Sequence, residues 1–138
     1  EVSVHLEEFP RDAGERLDAA HVADMEALIL VRDKALKELE KARESKLIGN
    51  SLEAKVVLGV PAARRELLEK YRGALAELFI VSVVELEPAA GEDFVVRVEK
   101  ASGDKCDRCW NRSETVGKDA AHPSFCARCA EVVGEMER

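Results

Sequence analysis

The sequence predicts an α+β fold: a small sheet with helices on one face, followed by a separate four-cysteine zinc-knuckle module. Three observations predict it. Apolar residues recur at three- and four-residue steps in two stretches, the mark of amphipathic helices. Three short β-rich runs lie between and after those stretches. Two Cys-x-x-Cys pairs, Cys106/Cys109 and Cys126/Cys129, stand near the end with sixteen residues between them. The order helix, strand, helix, strand, strand fits a sheet covered on one face. A chain of 138 residues makes one or two small domains. Its 46% hydrophobic content supports a core, and with only 4% aromatics that core must be aliphatic.

Residues 1–20 read as a connector, since Pro10, Asp12 and Gly14 interrupt a brief alternation of Val2, Val4 and Leu6. From about His21 to Leu47 the pattern is helical, with Met25, Leu28, Ile29, Leu36 and Leu39 as the apolar stripe. Arg32 interrupts that stripe and is expected to reach along the helix to water rather than to touch a substrate. Gly49-Asn50-Ser51 marks the helix C-cap and a turn. Residues 52–60 read as a strand of alternating faces that ends at Pro61, and Pro61 starts one helix from Ala62 to about Leu78. The continuous β-branched run from Phe79 to Leu86 reads as a strand covered on both faces. Residues 88–92 form a turn, and Phe94 to Val98 is a further strand. Residues 21–102 thus form the α+β domain and residues 103–138 the zinc module, with a short helix expected from Ala130 to Glu137.

The cysteine spacing is that of a tetrahedral zinc site. Each Cys-x-x-Cys turn aims two thiolates at one point, and the intervening segment folds the second turn against the first. Four soft ligands leave no open position for water, so one zinc held by Cys106, Cys109, Cys126 and Cys129 is structural rather than catalytic. Two disulfides are the weaker reading, because no signal peptide precedes the cysteines and the composition is intracellular. A thioredoxin-type redox site needs one such pair in a βαβ setting, whereas here two pairs are flanked by Gly, Asp and Asn. His122, before Pro123, is expected to shape the second turn rather than to add a fifth ligand.

Net charge is −7, and all of the excess lies in residues 1–99, with 21 acidic against 14 basic side chains. Residues 100–138 hold seven of each, and a zinc ion bound by four thiolates adds two further negative charges. Wholesale electrostatic wrapping of nucleic acid is therefore excluded, and any RNA contact must rest on a few placed groups. No apolar run approaches the roughly 18 residues needed to cross a membrane. The sequence carries no Gly-rich phosphate loop and no nucleophile beside a His and an acid.

The strings Lys105-Cys106-Asp107-Arg108-Cys109-Trp110, Val116-Gly117 and His122-Pro123-Ser124-Phe125-Cys126-Ala127-Arg128-Cys129 closely resemble the C-terminal zinc module of bacterial isoleucyl-tRNA synthetases. The likeness continues upstream in Ser3 to Pro10, Val31-Arg32, Ala42-Arg43, Ile48 to Ala54 and Leu78 to Ser82, in the family's order. One departure is Asn111, where many members carry His. The resemblance implies a cytoplasmic accessory region, joined to the remaining domains of its parent enzyme and helping to hold the anticodon end of tRNA(Ile). The parent joins isoleucine to that tRNA using ATP; its nucleotide-binding signatures and editing pocket are missing here, so this piece alone should be inactive. Arg108, for a phosphate or base edge, and Trp110, for stacking on an unpaired base, are the candidate RNA contacts. Trp110 is equally readable as a lid over the zinc turn. A stand-alone zinc-ribbon adaptor for protein or DNA is the alternative; a related finger closes the formamidopyrimidine-type DNA glycosylases, whose N-terminal proline and helix-turn-helix are not visible. Glu1 is no initiator, so the reading frame is expected to continue upstream.

Overall fold

A computed structural model describes residues 3, 5, 8 and 18–136. Most of the expected connector, residues 1–20, lies outside the described residues. Helix α1 spans Ala19–Glu44, and Asp18 caps it by accepting the Ala20 N–H at 3.0 Å. Its buried line is Leu28, Val31, Ala35, Leu39 and Ala42, the three- and four-residue rhythm of a single helix face. Ile29, expected in that stripe, is 49% exposed: a step of one residue turns about 100° away from Leu28 and off the buried line. Arg32 does not simply reach to water. Its Nε donates to the Leu78 carbonyl at 2.9 Å, fastening α1 to a helix end elsewhere in the fold.

The exit from α1 differs from expectation. The helix ends at Glu44 and the left-handed residue is Lys46, at φ 61°, not Gly49. Gly49 has another use: its N–H donates to Glu53 Oε2 at 2.8 Å. That bond is the chief reason the Glu53 carboxyl lies below its ordinary pKa range. Ser51–Glu53 form a 3-10 turn that delivers the chain into strand β1, Ala54–Val60.

β1 is the central strand of a three-stranded sheet ordered β2-β1-β3, where β2 is Val83–Pro88 and β3 is Val95–Lys100. β2 runs parallel to β1, Val56 opposite Val84, and β3 runs antiparallel, Val56 opposite Val98. Val56, Leu58 and Val60 alternate toward the helices, as the pattern required, and join Val84, Leu86, Val96 and Val98 in the main core. Yet Val57, on the opposite face, is buried as well. It is flanked across the sheet by Glu85 and Arg97, in a face of paired charges. There Lys55 bridges Glu85 at 2.9 Å and Glu99 at 3.3 Å, and Arg97 pairs with Glu87 at 2.9 Å. The stems of these long side chains shield the strand without a second layer of helices.

The single helix expected over residues 62–78 is stepped. A 3-10 turn at Ala62–Arg64 leads into α2, Arg65–Lys70, and a second at Arg72–Ala74 leads into α3, Leu75–Phe79. The step falls at Tyr71 (φ −105°, ψ 12°), just before Gly73, the poorest non-proline helix former of the stretch. Tyr71 is anchored there: its hydroxyl donates to Asp24 Oδ2 at 3.0 Å and also meets His21 Nδ1 at 3.0 Å. Leu68, Leu75 and Phe79 reach the core from the two short helices. Such a helical crossover is what two parallel strands need between them.

The β-branched run beginning at Phe79 is not all strand. Phe79 closes α3 fully buried, Ile80 turns left-handed at φ 57°, and the strand starts only at Val83. The Val81 N–H returns to the Ala76 carbonyl at 2.9 Å, satisfying the helix end. β2 is an edge strand with half-buried residues rather than one covered on both faces. The link from β2 to β3 arches over the end of β1, where Ala89 N–H bonds the Val60 carbonyl at 3.0 Å. Gly59 lies beneath that arch, and a Cβ there would sit 3.2 Å from Val95 Cβ. The architecture is the expected α+β fold with an aliphatic core and one buried Phe, followed by a second small cluster around the cysteines.

Candidate metal centre and adjoining cleft

A two-stranded ribbon, β4 (Asp104–Lys105) paired with β5 (Arg112–Ser113), presents the first cysteine turn. Gly103 enters it at φ 82°, and a Cβ at that position would lie 2.3 Å from the Ser113 carbonyl carbon, so only glycine fits. Within the turn the Cys106 N–H bonds the Asn111 carbonyl and the Trp110 N–H bonds the Cys106 carbonyl, both at 2.9 Å. Asn111 thus serves the turn through its backbone carbonyl. The second turn leads directly into α4, Ala127–Met136, three residues earlier than expected, so Cys129 rides on that helix's first turn. The Cys126 N–H points at Cys106 Sγ at 3.3 Å and locks the two turns together.

The four cysteine sulfurs all lie within 4.8 Å of one another, and Cys109 Sγ is 3.8 Å from Cys126 Sγ. A tetrahedron with zinc–sulfur bonds of about 2.3 Å has edges of about 3.8 Å, so the spacing fits a zinc ion. No cysteine is paired as a disulfide. Cys106, Cys126 and Cys129 are buried, Cys109 half-buried, with Val116 and Phe125 packed against them. His122 stacks on Phe125, ring centroids 5.5 Å apart, and takes no place in the sulfur cluster.

Electrostatics point the same way. Burial alone would raise the Cys106 thiol, but the N–H groups of Cys109, Cys126 and Arg108 outweigh it and bring the pKa down to about 6. Cys109 is pushed up to about 12 by burial and by neighbouring sulfurs, and Cys126 is raised for the same reasons. One thiolate is prepared by backbone donors, while Cys109 and Cys126 resist ionising beside it. A dication resolves that conflict, since it holds four thiolates that otherwise repel. The group such a site supplies is a structural cross-link between the two turns.

The two candidate RNA contacts part company. Trp110 has φ 68°, is 60% exposed, and carries the Lys105 ammonium 4.8 Å from its ring centroid. Arg108 points its Nη1 at Cys129 Sγ, 3.8 Å away. The residues around Trp110 come from elsewhere in the chain. Ser82 Oγ accepts the Arg112 N–H at 2.7 Å and also bonds the Leu52 carbonyl, docking the ribbon onto the α+β body. The seam between them is a cleft of about 500 Å³, whose walls include Arg43, Asn50, Glu53 and Ile80 from the body and Lys105, Trp110 and Arg112 from the ribbon. Sequence reasoning gave these wall residues, Trp110 apart, no role. The signal available was that Arg43, the turn 48–54 and Lys105 all lie inside the recognised strings; what was lacking was the fold that joins them.

Residues 103–132 match the family model described as a zinc finger found in FPG and IleRS. The chain is also 49% identical over 140 residues to an isoleucine–tRNA ligase of Syntrophotalea carbinolica, and 41% identical over 138 residues to one of Brachyspira hyodysenteriae. A Thermotoga petrophila isoleucine–tRNA ligase is 42% identical over 137 residues. Each of these alignments takes in 95% of this chain but 15% of the relative, so the chain spans about one seventh of the proteins it matches. The zinc-finger match and the clustered thiols together establish a single structural zinc site. The likeness runs far upstream of that finger and through the α+β body, so that over 95% of its length the chain is similar to one segment of isoleucine–tRNA ligases.

Proposed function

We propose that this chain is the C-terminal, anticodon-end accessory region of a cytoplasmic isoleucine–tRNA ligase, made of an α+β domain at 21–102 and a zinc module at 103–138. Cys106, Cys109, Cys126 and Cys129 hold the zinc, and the ion keeps the ribbon in the shape that displays Trp110. ATP-dependent joining of isoleucine to tRNA(Ile) belongs to other domains of the ligase. The observation that carries the reading is the exposed indole, held at a left-handed residue directly after a zinc ligand, in a chain alignable along 95% of its length with isoleucine–tRNA ligases. A solvent-facing aromatic on a rigid turn is a platform for an unpaired base. Arg108 spends one contact on Cys129 Sγ, and a guanidinium with five N–H donors retains capacity for a phosphate.

The ribbon-adaptor alternative rests on residues 103–132 alone and leaves the likeness of residues upstream unexplained. Nuclease protection of tRNA(Ile) by the zinc-loaded chain tests the proposal. Protection is expected at the anticodon arm; protection confined to the acceptor stem, or none at saturating protein, contradicts it.

A further inference from the structure

We propose that Cys109 is an oxidation site: a peroxide converts it to a sulfenic acid, Cys126 captures that sulfur as a disulfide between the two turns, and the zinc site comes apart. The inference concerns the zinc ligands alone and stands whether or not the chain contacts RNA.

The four sulfurs are not equivalent. Cys106 and Cys129 are 0% exposed and Cys126 is 7% exposed, whereas Cys109 is half-buried and gives an oxidant its way in. Where every ligand is a thiolate, access separates a reactive sulfur from an inert structural one. Two of the buried sulfurs are also engaged. Cys106 Sγ accepts the Cys126 N–H at 3.3 Å, and the Arg108 guanidinium lies 3.8 Å from Cys129 Sγ. A donor that draws on a sulfur's lone pairs weakens it as a nucleophile. Cys126 is the partner that remains. Its Sγ stands 3.8 Å from Cys109 Sγ, across the gap between the two turns. It precedes α4, while Cys129 lies inside the first turn of that helix, so Cys126 is the freer of the two to move. A disulfide brings its sulfurs to about 2.05 Å, a short closing movement once no ion spaces them apart.

The balance closes with hydrogen peroxide as the oxidant. The Cys109 thiolate attacks one peroxide oxygen; an S–O bond forms, the O–O bond breaks and hydroxide leaves. A sulfenic acid is a poor metal ligand, so Cys109 drops out of the site. The Cys126 thiolate then attacks the Cys109 sulfur; the S–S bond forms, the S–O bond breaks and a second hydroxide leaves. The two sulfurs lose two electrons in all, the peroxide gains them, and two protons from solvent turn both hydroxides into water. Cys106 and Cys129 remain as thiolates, too few to hold a dication in a closed site. The oxidised chain keeps its two turns tied, now by a covalent bond that a thiol reductant undoes.

The zinc-loaded chain is treated with hydrogen peroxide beside a colorimetric zinc indicator, and a parallel sample contains dimedone, which traps sulfenic acids. Loss of the bound zinc is expected, one ion freed for each disulfide formed. Peptide mapping should find Cys109 joined to Cys126, and the dimedone adduct on Cys109. Dithiothreitol followed by zinc should restore the metal content. Met136, 77% exposed, serves as an internal gauge of oxidant dose. Retained zinc and four intact thiols at a dose that turns Met136 into its sulfoxide would overturn the proposal. Disulfides confined to the pairs Cys106/Cys109 and Cys126/Cys129, or a first adduct on any cysteine other than Cys109, would overturn it as well.

Discussion

At the scale of single residues, the division of labour around Trp110 decides how variants should behave. Trp110 displays an exposed ring, whereas Arg108 leans on Cys129 Sγ. Trp110→Ala is therefore expected to keep its zinc and lose a base stack, weakening tRNA engagement about tenfold or more, from a stacking contribution of roughly 1–3 kcal/mol. Arg108→Ala should do two things: shorten the time zinc survives in a chelator, because the thiolate loses a charge-balancing neighbour, and make tRNA affinity less salt-dependent. Zinc content and tRNA binding measured on both variants separate these effects. Zinc lost from Trp110→Ala with tRNA binding unchanged would return Trp110 to the lid role.

The thiols add a pH signature. With Cys109 near 12 and Cys126 raised, both are protonated at neutral pH in the metal-free chain. Cys106, near 6, is already a thiolate there. Zinc binding at pH 7 must then expel about two protons or more from the cluster, and affinity must fall as pH falls because protons compete for the same sulfurs. Calorimetry in buffers of different ionisation enthalpy measures the number; zinc uptake with no proton release would contradict the four-thiolate site. Zinc–sulfur distances near about 2.3 Å by X-ray absorption are the matching structural result.

At the scale of elements, the α+β body and the zinc ribbon have separate apolar clusters, joined by hydrogen bonds that include the Ser82 hydroxyl, Ser102 to Glu114 at 2.9 Å and Arg128 to Glu77 at 3.5 Å. The ribbon cluster holds little more than the cysteines, Val116 and Phe125, so metal must supply most of its folding free energy. After chelation, amide exchange should speed up through residues 104–136 and remain slow in Ala54–Val60 and Val83–Pro88. Uniform loss of protection would mean that the two units fold as one. The body depends instead on its own core. Phe79→Ala, at a fully buried position, should cost about 3–5 kcal/mol of stability, read from denaturant unfolding of the zinc-loaded chain.

The elements also show what a linear pattern can and cannot carry. Periodicity located α1, β1 and β3, whose apolar residues keep a regular helical or alternating spacing, although β1 proves buried on both faces. It misplaced the start of β2, since the β-branched run Phe79 to Val84 looks the same whether Phe79 closes a helix or opens a strand; the left-handed Ile80 that settles it is a tertiary outcome. It also merged α2 and α3, because Leu67, Leu68, Tyr71, Leu75 and Leu78 keep helical spacing across a step held by Tyr71 and Asp24. The zinc ligands were legible because four cysteines at fixed spacing need no fold to be recognised. The cleft was not, because Arg43, Asn50 and Ile80 meet only through the fold of the body, and Trp110 joins them only where the ribbon docks on Ser82.

At the scale of the whole molecule, the proposed function asks a small acidic chain to meet an anionic partner, and the distribution of charge is local. Paired charges cover the outer face of the sheet, while a group of cations that outnumbers its carboxylates is confined to the seam beside the indole. On the proposed function, affinity of the isolated chain for RNA should therefore be modest, its part being to add one contact to a larger ligase. The chain alone is expected to show no isoleucine-dependent pyrophosphate exchange, since it spans 15% of the ligases it matches and its sequence carries no Gly-rich phosphate loop. The decisive measurement is tRNA charging by a full-length ligase carrying this segment, with and without Trp110→Ala, alongside amino-acid activation in the absence of tRNA. Activation should be unchanged while kcat/KM for tRNA falls about tenfold or more; a variant that keeps its zinc and charges tRNA at the normal rate would contradict an RNA-contacting role for the zinc module.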